Sequence, residues 1–137
     1  MRVVVARVDE FPVDSRRIVK VGGREIGVFR VAEDRFYALR NRCPHQGGPL
    51  CQGRYFPRIV SDVPGEVALA DGPPLLVCPW HGWQYDMSNG QSYVPDDRRV
   101  GAYTVSVEPG RRIEERGPYV VETFPVRTEE EYVVLEA

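Results

Sequence analysis

Long apolar runs and a signal peptide are both missing from this sequence of 137 residues. No apolar stretch approaches the length of about 20 residues that a membrane-spanning helix needs. The start, MRVVVARVDEF, lacks the long apolar segment of a signal peptide. We therefore expect a soluble, cytoplasmic protein that makes no use of a membrane.

The sequence also lacks an excess of charge of either sign. It carries 18 basic and 20 acidic side chains, for a net charge of −2, and the two signs are interspersed. A nucleic-acid-binding surface needs clustered basic residues, so we expect no nucleic-acid partner. Lys20 is the one lysine beside 17 arginines. That bias would suit docking to an anionic partner, but a G+C-rich genome explains it better.

Cysteine is present in an odd number, three, and histidine occurs only twice. An odd number of cysteines in a cytoplasmic chain argues against a disulfide framework and favours a metal or redox use of the thiols. A chain of 137 residues is large enough to bury a core without disulfides. We expect a single domain that spans residues 1–137.

Apolar residues at helical spacing are absent as well. Twelve prolines and thirteen glycines separate short runs rich in valine, tyrosine and phenylalanine. This pattern predicts an all-β fold, with turns at Gly22-Gly23, Glu33-Asp34, Asn89-Gly90 and Pro109-Gly110. The predicted strands are Val3–Val8, Arg17–Val21, Glu25–Val31, Phe36–Asn41, Leu75–Cys78, Gln91–Val94, Tyr103–Glu108, Tyr119–Phe124 and Tyr132–Glu136.

Both histidines and two of the cysteines lie in two short segments, CPHQGG at residues 43–48 and CPWHGWQYD at residues 78–86. Each segment follows directly on a predicted strand. Two loops anchored in this way on sheets can face each other. The candidate ligands are Cys43, His45, Cys78 and His81.

Two thiolates and two neutral imidazoles suit either zinc or an iron-sulfur cluster, because thiolate is a soft ligand and imidazole a borderline one. Zinc fingers usually group like ligands, with two cysteines in one turn and two histidines on a helix. Here each segment supplies one cysteine and one histidine. If each gives its cysteine to one metal and its histidine to another, the two loops clamp a two-metal cluster. A structural zinc site stays the alternative.

The segments CPHQGGPLCQG and CPWHGWQYD resemble the two cluster-binding loops of the Rieske [2Fe-2S] family. The resemblance implies a Rieske fold of antiparallel sheets with a small cluster-binding part, here residues 40–94. It also implies one [2Fe-2S] cluster per chain, with Cys43 and Cys78 on one iron and His45 and His81 on the other.

The sequence departs from small members of that family in its spacer, Gln46–Val77, which has 32 residues and is longer than usual. We interpret residues 52–74 within it as a hairpin insertion and not as a second domain. The insertion is either a passive addition, as most surface insertions are, or an edge at which a partner docks.

High-potential members of the family carry an additional cysteine in each loop, which form a disulfide, and a serine soon after the second histidine. This sequence has Gly47 and Trp80 at the corresponding loop positions and Gly82-Trp83 in place of Gly-Ser. Without the disulfide and the hydroxyl, the reduced state is less stabilised. We therefore expect a low-potential centre.

Other residues near the two loops have expected roles of their own. Cys51 has no partner thiol, and we interpret it as a small buried filler rather than a reactive cysteine. We expect the aromatic side chains of Trp80, Trp83 and Tyr85 to exclude water from the site. Pro95 falls where the family places a proline-containing loop over the cluster.

The resemblance implies a small electron carrier that passes single electrons from a flavin-type reductase to a terminal oxygenase or reductase. Such a protein is not an enzyme on its own. A self-contained oxygenase needs a second iron held by two further histidines and a carboxylate, and the chain has no further histidine. The alternative is a small subunit or redox-sensing module of a larger reductase complex, as in the Rieske-like subunit of nitrite reductases.

Overall fold

The computed structural model describes residues 2–61, 63–69, 71–93, 98–116 and 126–137. These residues form antiparallel strands and one short helix, which confirms the predicted all-β fold of antiparallel sheets. That helix is too short to cross a membrane, and the described residues contain no other α-helix. The elements are β1 (Arg2–Arg7), β2 (Ser15–Val21), β3 (Arg24–Ala32), β4 (Arg35–Arg40), β5 (Tyr55–Phe56), β6 (Ile59–Val60), β7 (Ala68–Leu69), β8 (Leu75–Val77), β9 (Gln84–Asp86), β10 (Ala102–Pro109), α1 (Gly110–Arg116) and β11 (Glu131–Glu136).

The chain divides into two compact units, one made of Met1–Ala38 with Tyr103–Ala137 and the other of Leu39–Ala102. A six-stranded sheet in the order β1-β11-β10-β4-β3-β2 forms the framework of the first unit. Strand β11 pairs with β1 on one side and with β10 on the other. This central position explains the unbroken apolar run of β11, since four successive residues of the strand are buried.

Alternate residues of β1 and β11 serve opposite faces of the sheet, as the pleat requires. Most of the core lies on one face, where Val3, Val133 and Leu135 pack with residues of β2 and β3. On the other face Val4 and Val134 pack with Ile113 of α1 and with Tyr132. The helix therefore covers a sheet face that would otherwise expose apolar side chains to water.

Helix α1 begins at Gly110, where the sequence analysis expects only a turn, and that expectation was wrong. The helix has seven residues, and Ile113 is its one apolar side chain. Two turns with a single apolar residue give no periodicity to detect. Gly110 fits the helix start closely, because a Cβ there would lie 1.8 Å from the carbonyl oxygen of Arg127.

The second unit contains both cysteine-histidine segments. The first segment follows β4, and the second lies between β8 and β9, as their positions after predicted strands indicate. Strands β5, β8 and β9 form a three-stranded sheet, and β6 pairs with β7 in a separate ribbon. In this ribbon Ile59 faces Leu69, and both side chains are about two-thirds exposed, at 65% and 66%.

Strand β9 was missed by the sequence analysis, because QYD has a single apolar residue and no alternation to recognise. The predicted strand Gln91–Val94 was wrong in its described part. There Gln91 and Ser92 form only isolated bridges, to Arg99 and Tyr85. The predicted strand Tyr119–Phe124 and the predicted cluster cover at Pro95 lie outside the described residues.

Candidate metal centre

The two cysteine-histidine loops share one backbone hydrogen-bond pattern. The N–H of Gly47 donates to the carbonyl of Cys43 (2.7 Å), and the N–H of Gly82 donates to the carbonyl of Cys78 (3.0 Å). Each cysteine N–H in turn donates to the carbonyl of the residue after that glycine, at 2.8 Å in both loops. Both cysteines are therefore held at the start of a closed five-residue turn.

Glycine is needed in both turns for its conformation. Gly47 has φ +78° and Gly82 has φ +75°, in the left-handed region that side chains disfavour. Space limits a neighbouring residue, Gly48, where a Cβ would come within 2.8 Å of the Trp80 ring.

The two predicted thiol ligands are brought together in the interior. Cys43 and Cys78 are each 1% exposed, they interact through their side chains, and both are free of any disulfide. Burial raises the pKa of the Cys78 thiol, and the neighbouring Cys43 raises it further. The backbone N–H groups of Trp80 and His81 lower the same pKa, because they favour the thiolate.

The two predicted imidazole ligands also meet. The ring centroids of His45 and His81 lie 4.8 Å apart, with their planes at 86°. His45 is partly buried and His81 is exposed. The second loop thus runs from the interior at Cys78 to the surface at His81, three residues further on.

The donor set forms a pair of thiols and a pair of imidazoles. In the part of the chain that the structure describes, no three His, Cys, Asp or Glu side chains converge as a site for one metal ion. A two-metal cluster with two protein ligands on each metal needs no such convergence. The residues present therefore fit a cluster that takes its thiolates on one metal and its imidazoles on the other.

Tyr85 supports the thiol side of the site. It is fully buried, and its hydroxyl lies 3.3 Å from Cys43 Sγ. Burial raises the pKa of Tyr85, and its hydrogen bond with Cys43 raises it further, so the hydroxyl keeps its proton. When Cys43 is a thiolate, the hydroxyl is the donor, since the thiolate has no proton to give.

The imidazole side of the site has a stack of three groups. The Trp83 ring lies nearly parallel to His45, with centroids 4.7 Å apart and an interplanar angle of 29°. The guanidinium carbon of Arg98 lies 4.7 Å from the Trp83 ring centroid. The contact of Arg98 was not predicted, because nothing in the sequence distinguishes it from Arg99 beside it.

The three aromatic side chains expected to exclude water divide that role unequally. Tyr85 covers Cys43 from the interior, and Trp83 covers one face of His45. Trp80 is 56% exposed and therefore excludes less water than the other two side chains. Its ring instead rests on Gly48 of the opposite loop and is open to solvent beyond it.

Cys51 lies where the sequence analysis expects a buried filler. It is fully buried, and its Sγ lies 3.3 Å from the carbonyl oxygen of Leu39, to which it donates. Its backbone N–H donates to Oδ1 of Asn41. The third cysteine therefore packs beneath the first loop as a structural residue.

A comparison with protein families matches residues 1–104 to the family described as Rieske [2Fe-2S] domain. The chain is 30% identical over 89 residues to a human Rieske domain-containing protein, a match that covers 65% of this chain and 48% of the human protein. The chain thus spans about half of that relative. It is also 29% identical over 108 residues to Ferredoxin CarAc of Metapseudomonas resinovorans, covering 78% of this chain and 85% of that one.

Solved structures share the fold over nearly the whole chain. The ferredoxin of carbazole 1,9a-dioxygenase from Nocardioides aromaticivorans IC177 superimposes with a TM-score of 0.60 at 22% identity, covering 97% of this chain and 96% of that one. A Mycobacterium tuberculosis protein, proposed to be the small subunit of an NADH-dependent nitrite reductase, gives a TM-score of 0.67 at 14% identity, covering 100% and 96%. At these identities the likeness concerns the fold alone.

Proposed function

We propose that this chain, which belongs to the Rieske [2Fe-2S] domain family, passes single electrons from a flavin-type reductase to an oxygenase. Its cofactor is one [2Fe-2S] cluster, as in the ferredoxins of oxygenase systems to which it is similar. The observation that carries the proposal is the meeting of two buried thiols with two imidazoles, one of which is exposed.

Cys43 and Cys78 would hold one iron, and His45 and His81 the other. When bound, the cluster supplies one-electron redox chemistry. The chain holds both thiols in the interior, and the N–H groups of Trp80 and His81 favour the charged form of Cys78 against the larger effect of burial. Tyr85 donates a hydrogen bond on the same side.

Electrons would enter and leave at His81, because it is the exposed member of the ligand set. An open groove of about 360 Å³ lies beside His81 and is lined also by Trp83, Gln84 and Tyr93. A second groove, lined in part by Phe56, Ile59 and the same Tyr93, continues toward the insertion. This continuity favours the insertion as a docking edge over its role as a passive addition.

A low reduction potential follows from what the loops contain. The three cysteines are free, so the site has no disulfide beside it. Gly82 and Trp83 occupy the positions after the second histidine and supply no side-chain hydroxyl. Hydrogen bonds to cluster sulfur favour the more negative reduced state, and both the serine hydroxyl and the disulfide of high-potential centres are missing.

The relatives favour a carrier over a subunit of a reductase complex. Ferredoxin CarAc is similar over most of its own length, whereas the likeness to the nitrite reductase subunit lies in the fold.

We also propose that the protein works in the cytoplasm.

A reconstituted relay tests this function. The purified protein would be mixed with NADH, a flavin-dependent ferredoxin reductase and cytochrome c as a surrogate acceptor. We expect cytochrome c reduction to depend on this chain, and the variant Cys51→Ser to support it equally. A cluster that the reductase cannot reduce, or a chain found only within a large stable complex, would contradict the carrier.

A further inference from the structure

Arg98 and Arg99 are adjacent in sequence but have different surroundings. Arg98 is partly buried and lies over Trp83, which also stacks with His45. Its carbonyl accepts a hydrogen bond from the N–H of Ser92 (3.2 Å), which ties the backbone in place. Arg99 is oriented toward Gln91 and donates to the side-chain oxygen of that residue from Nη2 (2.8 Å) and Nε (3.2 Å).

We propose that Arg98 is a positioning residue that raises the reduction potential of the centre, by holding a positive charge over the Trp83 ring on the imidazole side. The proposal rests on the proposed role of His45 as a ligand.

The guanidinium carbon of Arg98 and the ring centroid of His45 each lie 4.7 Å from the Trp83 ring. The guanidinium is therefore within about two ring spacings of His45. Reduction adds one negative charge to the centre, and a nearby fixed cation stabilises the product more than the reactant. Arginine keeps its charge at any working pH, so this contribution does not depend on protonation. Arg98 is partly buried, which reduces the screening of its charge by water.

The experiment measures the midpoint potential of holoprotein by protein-film voltammetry for the wild type, Arg98→Gln, Arg98→Lys and Arg99→Gln. Arg98→Gln and Arg99→Gln remove the same charge from neighbouring positions, so their difference isolates the site over Trp83. We expect Arg98→Gln to lower the reduction equilibrium constant about tenfold, which is 59 mV for a one-electron couple. Arg98→Lys should shift the potential by less than half as much as Arg98→Gln, and Arg99→Gln should shift it by less than a third as much.

Equal shifts in the two glutamine variants, or no shift in either, would overturn the proposal. A fall in Arg98→Lys as large as in Arg98→Gln would also overturn it, since loss of shape and not of charge would then be the cause. If Arg98→Gln assembles no cluster, Arg98→Met replaces it in the same comparison. Electron paramagnetic resonance separates failure of this proposal from failure of the ligand assignment. If the ligand assignment is wrong, the reduced wild type itself lacks the signal of low average g. If only the role of Arg98 is wrong, the wild type shows that signal.

Discussion

At the scale of single residues, the three cysteines are equally buried but differ in their neighbours. Cys43 and Cys78 contact each other, whereas Cys51 donates to the Leu39 carbonyl. Burial alone therefore does not distinguish a ligand from a packing residue. The contacts do, and they give a prediction that uses one cysteine as the control for the other two.

We expect Cys43→Ser and Cys78→Ser to lose the cluster, because a hydroxyl is a much poorer ligand than a thiolate. Cys51→Ser should keep two irons and two acid-labile sulfides per chain and lose only about 1 kcal/mol of stability. Iron and sulfide analysis with thermal unfolding checks both. Bleaching of Cys51→Ser alone would show that the ligands are assigned wrongly.

The hydroxyl of Tyr85 gives a second residue-scale prediction. Tyr85→Phe keeps the buried ring and removes the hydrogen bond to Cys43 Sγ. The reduced state then loses a stabilising donor worth about 1 kcal/mol, so the midpoint potential should fall by about 40 mV. Voltammetry of the variant measures this, and an unchanged or higher potential would mean that the hydroxyl does not donate to the bound thiolate.

At the scale of elements, the two loops are the same structure built twice. Each places a glycine with positive φ four residues after its cysteine, although the histidine falls at a different position in each loop. The shared backbone hydrogen bonds therefore depend on the positions of the cysteine and the glycine, and not on the position of the histidine.

We expect Gly82→Ala to cost about 1 kcal/mol in holoprotein stability and to slow cluster loading, because alanine resists φ +75°. Gly72→Ala is the matched control, since Gly72 has neither a positive φ nor a neighbour within 4 Å of a Cβ. Thermal unfolding of both variants provides the comparison. Equal effects would remove the argument from conformation.

The sequence predicts the four proposed ligands because cysteine and histidine are rare and their spacing is specific. It also predicts the longer strands, since β3 and β11 carry clear apolar patterns. It does not predict β9 or α1, which are too short for any periodicity.

The contact of Arg98 with Trp83 could not be predicted, because it depends on how a distant segment packs. The isolated bridges Gln91–Arg99 and Tyr85–Ser92 hold the segment of Arg98 near Trp83. No local pattern in the sequence predicts these bridges.

At the scale of the whole molecule, the ribbon of β6 and β7 exposes Ile59 and Leu69 on the surface where we propose that a partner docks. We expect Ile59→Ser/Leu69→Ser to slow electron transfer from the reductase or to the acceptor, without a change in midpoint potential. Val13→Ser removes an exposed apolar side chain from the other unit and serves as the control. Unchanged electron-transfer rates in the double variant would show that the insertion is a passive addition and not a docking edge.

The potential of the whole protein is a further prediction. Rieske centres range from about −150 to +300 mV, and we expect this one below about 0 mV because the disulfide and the serine hydroxyl are missing. Protein-film voltammetry of the wild type measures it. A midpoint well above about +100 mV would show that donors outside the two loops stabilise the reduced state.

The central claim is that both histidines of the chain ligate the cluster, and the composition allows a direct test. Because the chain has only His45 and His81, growth on ¹⁵N-histidine labels two side chains and no others. Pulsed electron paramagnetic resonance of the reduced, labelled protein should show strong couplings from two ¹⁵N nuclei, on a signal of low average g. Coupling from one nitrogen or from none, or a zinc-containing protein without sulfide, would contradict the account.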